Sequence, residues 1–191
     1  MKKLESTSAE WLHLDVMDGA FVPNITFGFD LIKRLRPLSE KYFDVHLMIE
    51  EPGRYIKDFL EAGADGITIH LESVIEGDID EVLKSISCDI GISIKPKTKV
   101  EELIPFLDKV DMVLIMSVEP GFGGQKFQPE VIEKIKWLNE YRNKNNLNFK
   151  IQIDGGINNS NFKQVKEAGC DILVAGSYLF TGHMETKIIE L

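Results

Sequence analysis

The chain has 191 residues, enough to bury a sizeable core within one domain, and its 43% hydrophobic and 28% charged fractions are those of an ordinary soluble globular protein. A net charge of −9, with no basic run longer than Lys2-Lys3, excludes a sequence-independent grip on nucleic acid or on an anionic membrane, since both need a basic face. No apolar run reaches the ~20 residues of a membrane span, the N-terminus lacks an apolar signal-peptide core, and Cys88 and Cys170 stand far apart; we expect a cytoplasmic protein with both thiols reduced.

The chain opens in KKLESTSAEW, which reads as the end of a helix, and enters a first strand at 11–16. Helix and strand patterns then alternate: helix 29–36, strand 43–49, helix 52–62, strand 66–71, helix 79–85 and strand 89–94. The alternation continues with helix 100–109, strand 112–118, helix 129–143, strand 150–153, helix 160–168 and strand 172–175. This order predicts parallel strands joined by helical crossovers. A recurring unit supports it. STSAEWLHLD, LEAGADGITIH and KEAGCDILVAG each pass from a helix end through a small-residue turn into a strand, with Gly63 and Gly169 where a helix end favours glycine. No linker or composition shift marks a boundary, so residues 1–191 read as a single (β/α) barrel domain.

Side-chain alternation selects the barrel over an open, doubly wound sheet. Leu12, Leu14 and Val16 share one face of the first strand, and His13, Asp15 and Met17 the other. The same split sets Val45, Leu47 and Ile49 against Asp44, His46 and Met48, and Ile67, Ile69 and Leu71 against Thr68, His70 and Glu72. A doubly wound sheet is helix-covered on both faces, and its strands read as near-continuous apolar runs. Here only one face is uniformly apolar, while the other gathers polar groups toward a common interior. The fold class is therefore α/β, a (β/α)8 TIM barrel with seven readable strands. At 191 residues the chain is shorter than the ~200–250 typical of this barrel, and it reads as lacking the first βα unit, which would leave the strands at 11–16 and 172–175 as unpaired edges.

A barrel of this kind carries its chemistry at the C-terminal ends of its strands. There the sequence offers His13, Asp15, His46 and Asp154, all on the interior parity. A lone strand histidine is ordinarily a hydrogen-bonded core residue, and a lone strand-end aspartate a turn former. Four at equivalent ends point instead to one divalent metal ion in a mixed nitrogen and oxygen site, zinc first, with iron, cobalt or manganese also suited. His70 shares the inward parity and reads as a hydrogen-bonded interior residue. His183 reads as a surface residue and the acidic segment 72–81 as a solvated loop. Glycine-rich turns follow three consecutive strands: EPGFGGQ with Gly121, Phe122, Gly123 and Gly124, then DGG with Gly155 and Gly156, then AGS with Gly176 and Ser177. Such turns present bare N–H groups to an anion, and their position in the barrel favours a substrate phosphate.

The motifs LHLDVMDGAFVPN, DVHLMI, IKPKT, SVEPGFGGQKF and IDGGI, spread over residues 11–180 and six strands, resemble the ribulose-phosphate 3-epimerase family. The resemblance implies a barrel of the ribulose-phosphate-binding type. It also implies a metal-dependent isomerase of the pentose phosphate pathway that interconverts D-ribulose 5-phosphate and D-xylulose 5-phosphate by inversion at C3 through an enediolate. In that reading Asp15 accepts the proton and Asp154 donates one, His46 and the glycine turns contact the phosphorylated ketose, and Met17, Met48 and Met116 wall the intermediate. A homo-oligomer is expected. Allulose-6-phosphate 3-epimerase uses nearly the same apparatus and stays open as an alternative. Related barrel decarboxylases and synthases expect a lysine two residues after the strand-end aspartate; Met17 stands there. The family's first strand bears a substrate-contacting serine to which no residue here can be matched, so a catalytically compromised metal- and phosphate-binding barrel is the further alternative.

Overall fold

The computed structural model describes every residue except Glu76 and contains one sheet of seven parallel strands in sequence order. The strands are β1 (Trp11–Met17), β2 (Tyr42–Met48), β3 (Gly66–His70), β4 (Asp89–Ile94), β5 (Met112–Met116), β6 (Lys150–Asp154) and β7 (Ile172–Val174). Helices α1 (Lys2–Glu5), α2 (Phe29–Leu35), α3 (Ile56–Glu61), α4 (Ile79–Ser85), α5 (Ile132–Asn145) and α6 (Phe162–Glu167) precede or connect them, and α7 (Ser177–Phe180) and α8 (Met184–Glu190) follow. None is long and apolar enough to cross a membrane.

The helix expected at 100–109 is a 3-10 segment, Val100–Phe106, because Pro105 has no N–H to donate and its ring crowds the preceding turn. The one expected at 52–62 divides into a 3-10 turn at Pro52–Arg54 and then α3. Leu71 leaves the third strand for another 3-10 turn, Leu71–Ser73. Helices α7 and α8 carry no periodicity that would have singled them out.

The alternation acts as expected. Outward-facing Leu47, Ile69, Ile92, Val113 and Ile153 are fully buried against Ile32, Phe59, Leu83, Leu103, Leu138 and Val165 of the surrounding segments. Each such aliphatic side chain contributes roughly 1.5–3 kcal/mol. The inward face buries Asp44, His46, Thr68, His70, Ser93 and Gln152 beside Leu114 and Met116. Register then sets the site, for Asp15 lies opposite His46 and Met116 opposite Asp154.

The barrel is nearly closed. β1 pairs only with β2 and β7 only with β6, so the two edges expected from the strand count are present. A cleft of about 740 Å³ runs along this seam between Trp11 and Leu12 on one side and Ile172 and Leu173 on the other.

At the N-terminal end of the strands, aspartates clamp neighbouring strands together. Asp65, Asp111 and Asp171 each accept the backbone N–H of the second residue of an even-numbered strand, from Phe43 at 2.8 Å, Ile90 at 2.8 Å and Ile151 at 2.7 Å. Two clamps are completed by arginine. Arg36 reaches Asp65 at 2.7 Å and also donates to the Ser39 and Lys41 carbonyls. Arg142 reaches Asp171 at 2.5 Å and donates to the Phe149 and Gly169 carbonyls. Gly63 and Gly169 leave their helices at φ +93° and +107°, and a Cβ there would lie 2.8 Å from the Arg36 side chain and 2.4 Å from Asn139. Glycine is required at both, as the helix-end reading anticipated. Cys88 and Cys170 are free thiols, pushed up to about 11 and about 12 by burial.

Candidate metal and phosphate site

Residues two apart on one strand point the same way, so β1 aims both His13 and Asp15 into the barrel mouth. β2 adds His46 beside Asp15, and β6 adds Asp154 from across the mouth. One ligand atom from each of the four lies within 4.8 Å of the others. Asp15 Oδ1 is 2.9 Å from His46 Nδ1 and 3.2 Å from His13 Nε2, and the two ring nitrogens are 3.3 Å apart. Two nitrogens and two carboxylates at this spacing fit one divalent ion of borderline hardness. All four residues named from the sequence are brought together.

Behind the cluster the polar contacts continue. Asp44, fully buried, accepts from His13 Nδ1 at 2.7 Å and from Gln152 Nε2 at 2.6 Å, both through Oδ2. His46 Nε2 lies 2.8 Å from His70 Nε2, and His70 Nδ1 lies 3.3 Å from Glu72 Oε2. Glu72 Oε1 accepts the Lys95 N–H at 2.8 Å and the Thr98 hydroxyl. Phe21 packs over the His70 ring, 4.9 Å between centroids, and carries the Lys95 ammonium on its face. His70 is thus the hydrogen-bonded interior residue expected, and His183 is exposed. The solvated reading of segment 72–81 needs correction at Glu72, which three donors draw inward, whereas exposed Asp78 caps α4 by accepting the Asp80 N–H at 2.9 Å. Glu76 lies outside the described residues.

Charge and burial separate the two catalytic-candidate carboxyls. Burial pushes Asp154 up, and the adjacent Asp15 carboxylate adds to it, reaching about 6. Burial also acts to raise Asp15, but His13 and His46 outweigh it and hold Asp15 well below the usual carboxylate range. For His13 burial disfavours the charge, yet the Asp44 and Asp15 carboxylates hold it well above its ordinary value. Burial carries His70 down to about 4. Burial opposes ionisation of Glu72, yet the hydrogen bonds from His70, Thr98 and Lys95 bring it to about 2.

The glycine turns open on the same cleft as His13, Asp15, Asp154 and the three methionines Met17, Met48 and Met116. They divide into two kinds. At Gly123, Gly124 and Gly176 an added Cβ would meet nothing within 4 Å, so these residues keep the cleft wide. At Gly155 and Gly156, with φ +116° and +63°, it would strike Val118 at 2.6 Å and the Phe127 nitrogen at 2.7 Å; glycine there serves the packing of the turn. Gly121 is tied by its carbonyl to Asn24 Nδ2 at 2.7 Å, joining the loop after β1 to the loop after β5. Phe122 stands half exposed and lines the same cleft as Gly176 and Ser177.

Three residues of the site were not singled out from the sequence. Asp44 and Gln152 share the inward parity of His46 and Asp154, which was the available signal. Glu72 sits two residues beyond His70 in a run of acids that masked it.

Residues 1–180 match the model described as the Ribulose-phosphate 3 epimerase family. The ribulose-phosphate 3-epimerase of Synechocystis sp. is 43% identical over 183 residues, covering 94% of this chain and 80% of that protein. The enzyme of the same name from Treponema pallidum is 40% identical over 188 residues, covering 98% and 86%. A cytoplasmic isoform of ribulose-phosphate 3-epimerase from Oryza sativa subsp. japonica is 42% identical over 188 residues, covering 95% and 80%. Among solved structures, 3-keto-L-gulonate-6-phosphate decarboxylase from Vibrio cholerae superposes with TM-score 0.70 at 12% identity, covering 95% of this chain and 83% of that one. The Streptococcus mutans KGPDC superposes with TM-score 0.66 at 14% identity, covering 95% and 94%. These two likenesses speak to the fold alone, a TIM barrel.

Proposed function

The chain belongs to the ribulose-phosphate 3-epimerase family, and on that premise we propose that it interconverts D-ribulose 5-phosphate and D-xylulose 5-phosphate by inverting C3. The convergence of His13, Asp15, His46 and Asp154 on one point beneath an open cleft carries this reading. Inversion requires proton-transfer groups on both faces of a planar intermediate, and Asp15 and Asp154 come from strands on opposite sides of the mouth. In the metal-free site their environments push their proton affinities apart, Asp154 up and Asp15 down, the separation expected of an acid and a base sharing one site. Ionised Asp15 removes the C3 proton to give the enediolate, and protonated Asp154 delivers a proton to the other face; the reverse reaction exchanges the roles. His13, Asp15, His46 and Asp154 would hold a divalent ion, zinc first, which as a Lewis acid would offset the negative charge that develops on the sugar oxygens.

The turns bearing Gly121 to Gly124, Gly155, Gly156, Gly176 and Ser177 receive the phosphate and fix the sugar's register against the two acids. Met17, Met48 and Met116 exclude water around the enediolate with polarizable, apolar side chains. In this reading residues 1–191 work as one barrel domain in the cytoplasm, the location named for the rice relative, and assemble as a homo-oligomer. Allulose-6-phosphate as substrate is the alternative within the same chemistry. The open seam between β1 and β7 favours a second reading, a metal- and phosphate-binding barrel with little turnover. A coupled assay on D-ribulose 5-phosphate and on D-allulose 6-phosphate tests all three. We expect the higher kcat/KM on the pentulose; preference for the hexulose, or metal and phosphate binding without turnover on either, refutes the main reading.

A further inference from the structure

The two histidines of the cluster turn different nitrogens toward it, Nε2 from His13 and Nδ1 from His46. A neutral imidazole carries its one proton on one nitrogen, and a ligating nitrogen must be bare. His13 must therefore carry its proton on Nδ1 and His46 on Nε2. Each of those N–H groups points away from the cluster into the barrel, where water is excluded, and each needs an acceptor there.

We propose that Asp44, and His70 acting with Glu72, are positioning residues that fix these opposite tautomers and so aim both histidines at the ion; the inference rests on the metal-site reading above. Asp44 Oδ2 takes the His13 Nδ1–H directly at 2.7 Å, and Gln152 holds the same oxygen in place from the far side of the barrel. The other arm is a relay. His46 donates its Nε2–H to His70 Nε2 at 2.8 Å. That nitrogen must be bare to accept, which leaves the His70 proton on Nδ1, facing Glu72 Oε2. Glu72 anchors the chain because the Lys95 N–H and the Thr98 hydroxyl occupy its other oxygen. Each histidine is thus backed by a carboxylate, one in contact and one through a second imidazole. The arms are assembled from inward-facing positions of β1, β2, β3 and β6 together with Glu72 in the 3-10 turn after β3, and neither uses the residues assigned to proton transfer. Backing groups of this kind typically set metal affinity by 10- to 100-fold.

The test titrates Zn²⁺ into the metal-stripped full chain against a chromogenic chelator, comparing the native protein with Asp44→Asn, His70→Phe, His70→Gln and His46→Ala. We expect Asp44→Asn and His70→Phe each to weaken Zn²⁺ by roughly 10- to 100-fold. His70→Gln keeps an oxygen able to accept from His46 Nε2 and should bind close to the native affinity. The second readout needs no variant. In native protein labelled with ¹⁵N-histidine and loaded with ¹¹³Cd²⁺, cadmium should couple to Nε2 of His13 and Nδ1 of His46. Coupling to the opposite nitrogen of either ring overturns the proposal, whether or not His70→Phe folds. Native-like affinity in both Asp44→Asn and His70→Phe, with His46→Ala unable to bind, overturns the positioning role while leaving the ligand set intact. Native-like binding in His46→Ala removes the ligand set and this proposal with it.

Discussion

The two ends of the barrel treat charge in opposite ways. At the N-terminal end, Asp65 and Asp171 are each matched by an arginine and a strand N–H, and the arginines spend their remaining donors on nearby carbonyls. Those groups are closed on themselves. At the C-terminal end, His13, Asp15, His46 and Asp154 bring their ligand atoms within 4.8 Å of one another, and below them Asp44 Oδ1 and Gln152 Oε1 have no partner among the described residues. The first arrangement stores stability. The second leaves polar atoms unmatched and gathers carboxylates and imidazoles where a cation and a phosphorylated sugar would bind. If the comparison is right, changes at the upper end alter turnover more than melting, and changes at the lower end do the reverse.

The largest effect is expected at Asp154. Asp154→Asn keeps the volume and removes the proton-transfer function, so epimerisation should fall roughly 100- to 10,000-fold. Exchange of the C3 proton with deuterated solvent should persist through Asp15, and the melting temperature should change little. Near-normal epimerisation in this variant contradicts the two-acid assignment. Next comes the cleft. Gly176→Val places three carbons in space where nothing lies within 4 Å. It should raise KM about tenfold or more while kcat stays near native, since a tenfold effect needs only about 1.4 kcal/mol of lost binding. A fall in kcat at unchanged KM would put the phosphate elsewhere.

At the lower end, Arg142→Ala leaves the Asp171 carboxylate and two carbonyls without their partner. It should cost about 1–2 kcal/mol in denaturant unfolding, most of it from the half-buried carbonyls because Asp171 is itself exposed, with kcat/KM of the folded fraction unchanged. Loss of activity beyond the loss of folded protein would show that the two ends are coupled. The smallest effect is a pH dependence of the metal-free protein. Because His70 is carried down to about 4 from its ordinary 6.5, the unfolded chain binds the extra proton across that window. The His70 contribution is therefore full above pH 6.5 and declines as pH falls toward 4, by about 2 kcal/mol at pH 5, while Asp154, raised to about 6, and His13, held above its ordinary value, act with the opposite sign. Glu72, lowered from 4.5 to about 2, extends the decline below pH 4.5 with the same sign. Between pH 7 and 5, thermal melts should show His70→Gln losing less stability on acidification than native protein, the difference isolating His70 from Asp154 and His13. An identical slope in that variant would assign the titration to another group.

The strand alternation made the barrel and the four-residue cluster legible, because period-two parity states which side chains share the interior regardless of how loops run. Parity also held the signal for Asp44 and Gln152, but a carboxylate and an amide below the mouth look like ordinary buried polars until their partners are known. Glu72 was hidden by composition, since charge density in 72–81 suggests solvent and only the tertiary approach of Lys95 and Thr98 draws it in. The 3-10 segment at Val100–Phe106 departs from the helical pattern for a local reason, Pro105, that the periodicity overrode. The two roles among the glycines depend on what a Cβ would strike, which no spacing of residues encodes.

One measurement bears most directly on the claim that the upper end is an open cation site coupled to epimerisation. Chelator-stripped protein is assayed on D-ribulose 5-phosphate while a divalent ion is returned in known amounts. Stripping should abolish turnover, and activity should return and saturate at one ion per chain. Full turnover in the stripped protein, or metal binding at that stoichiometry with no recovery of activity, would contradict it.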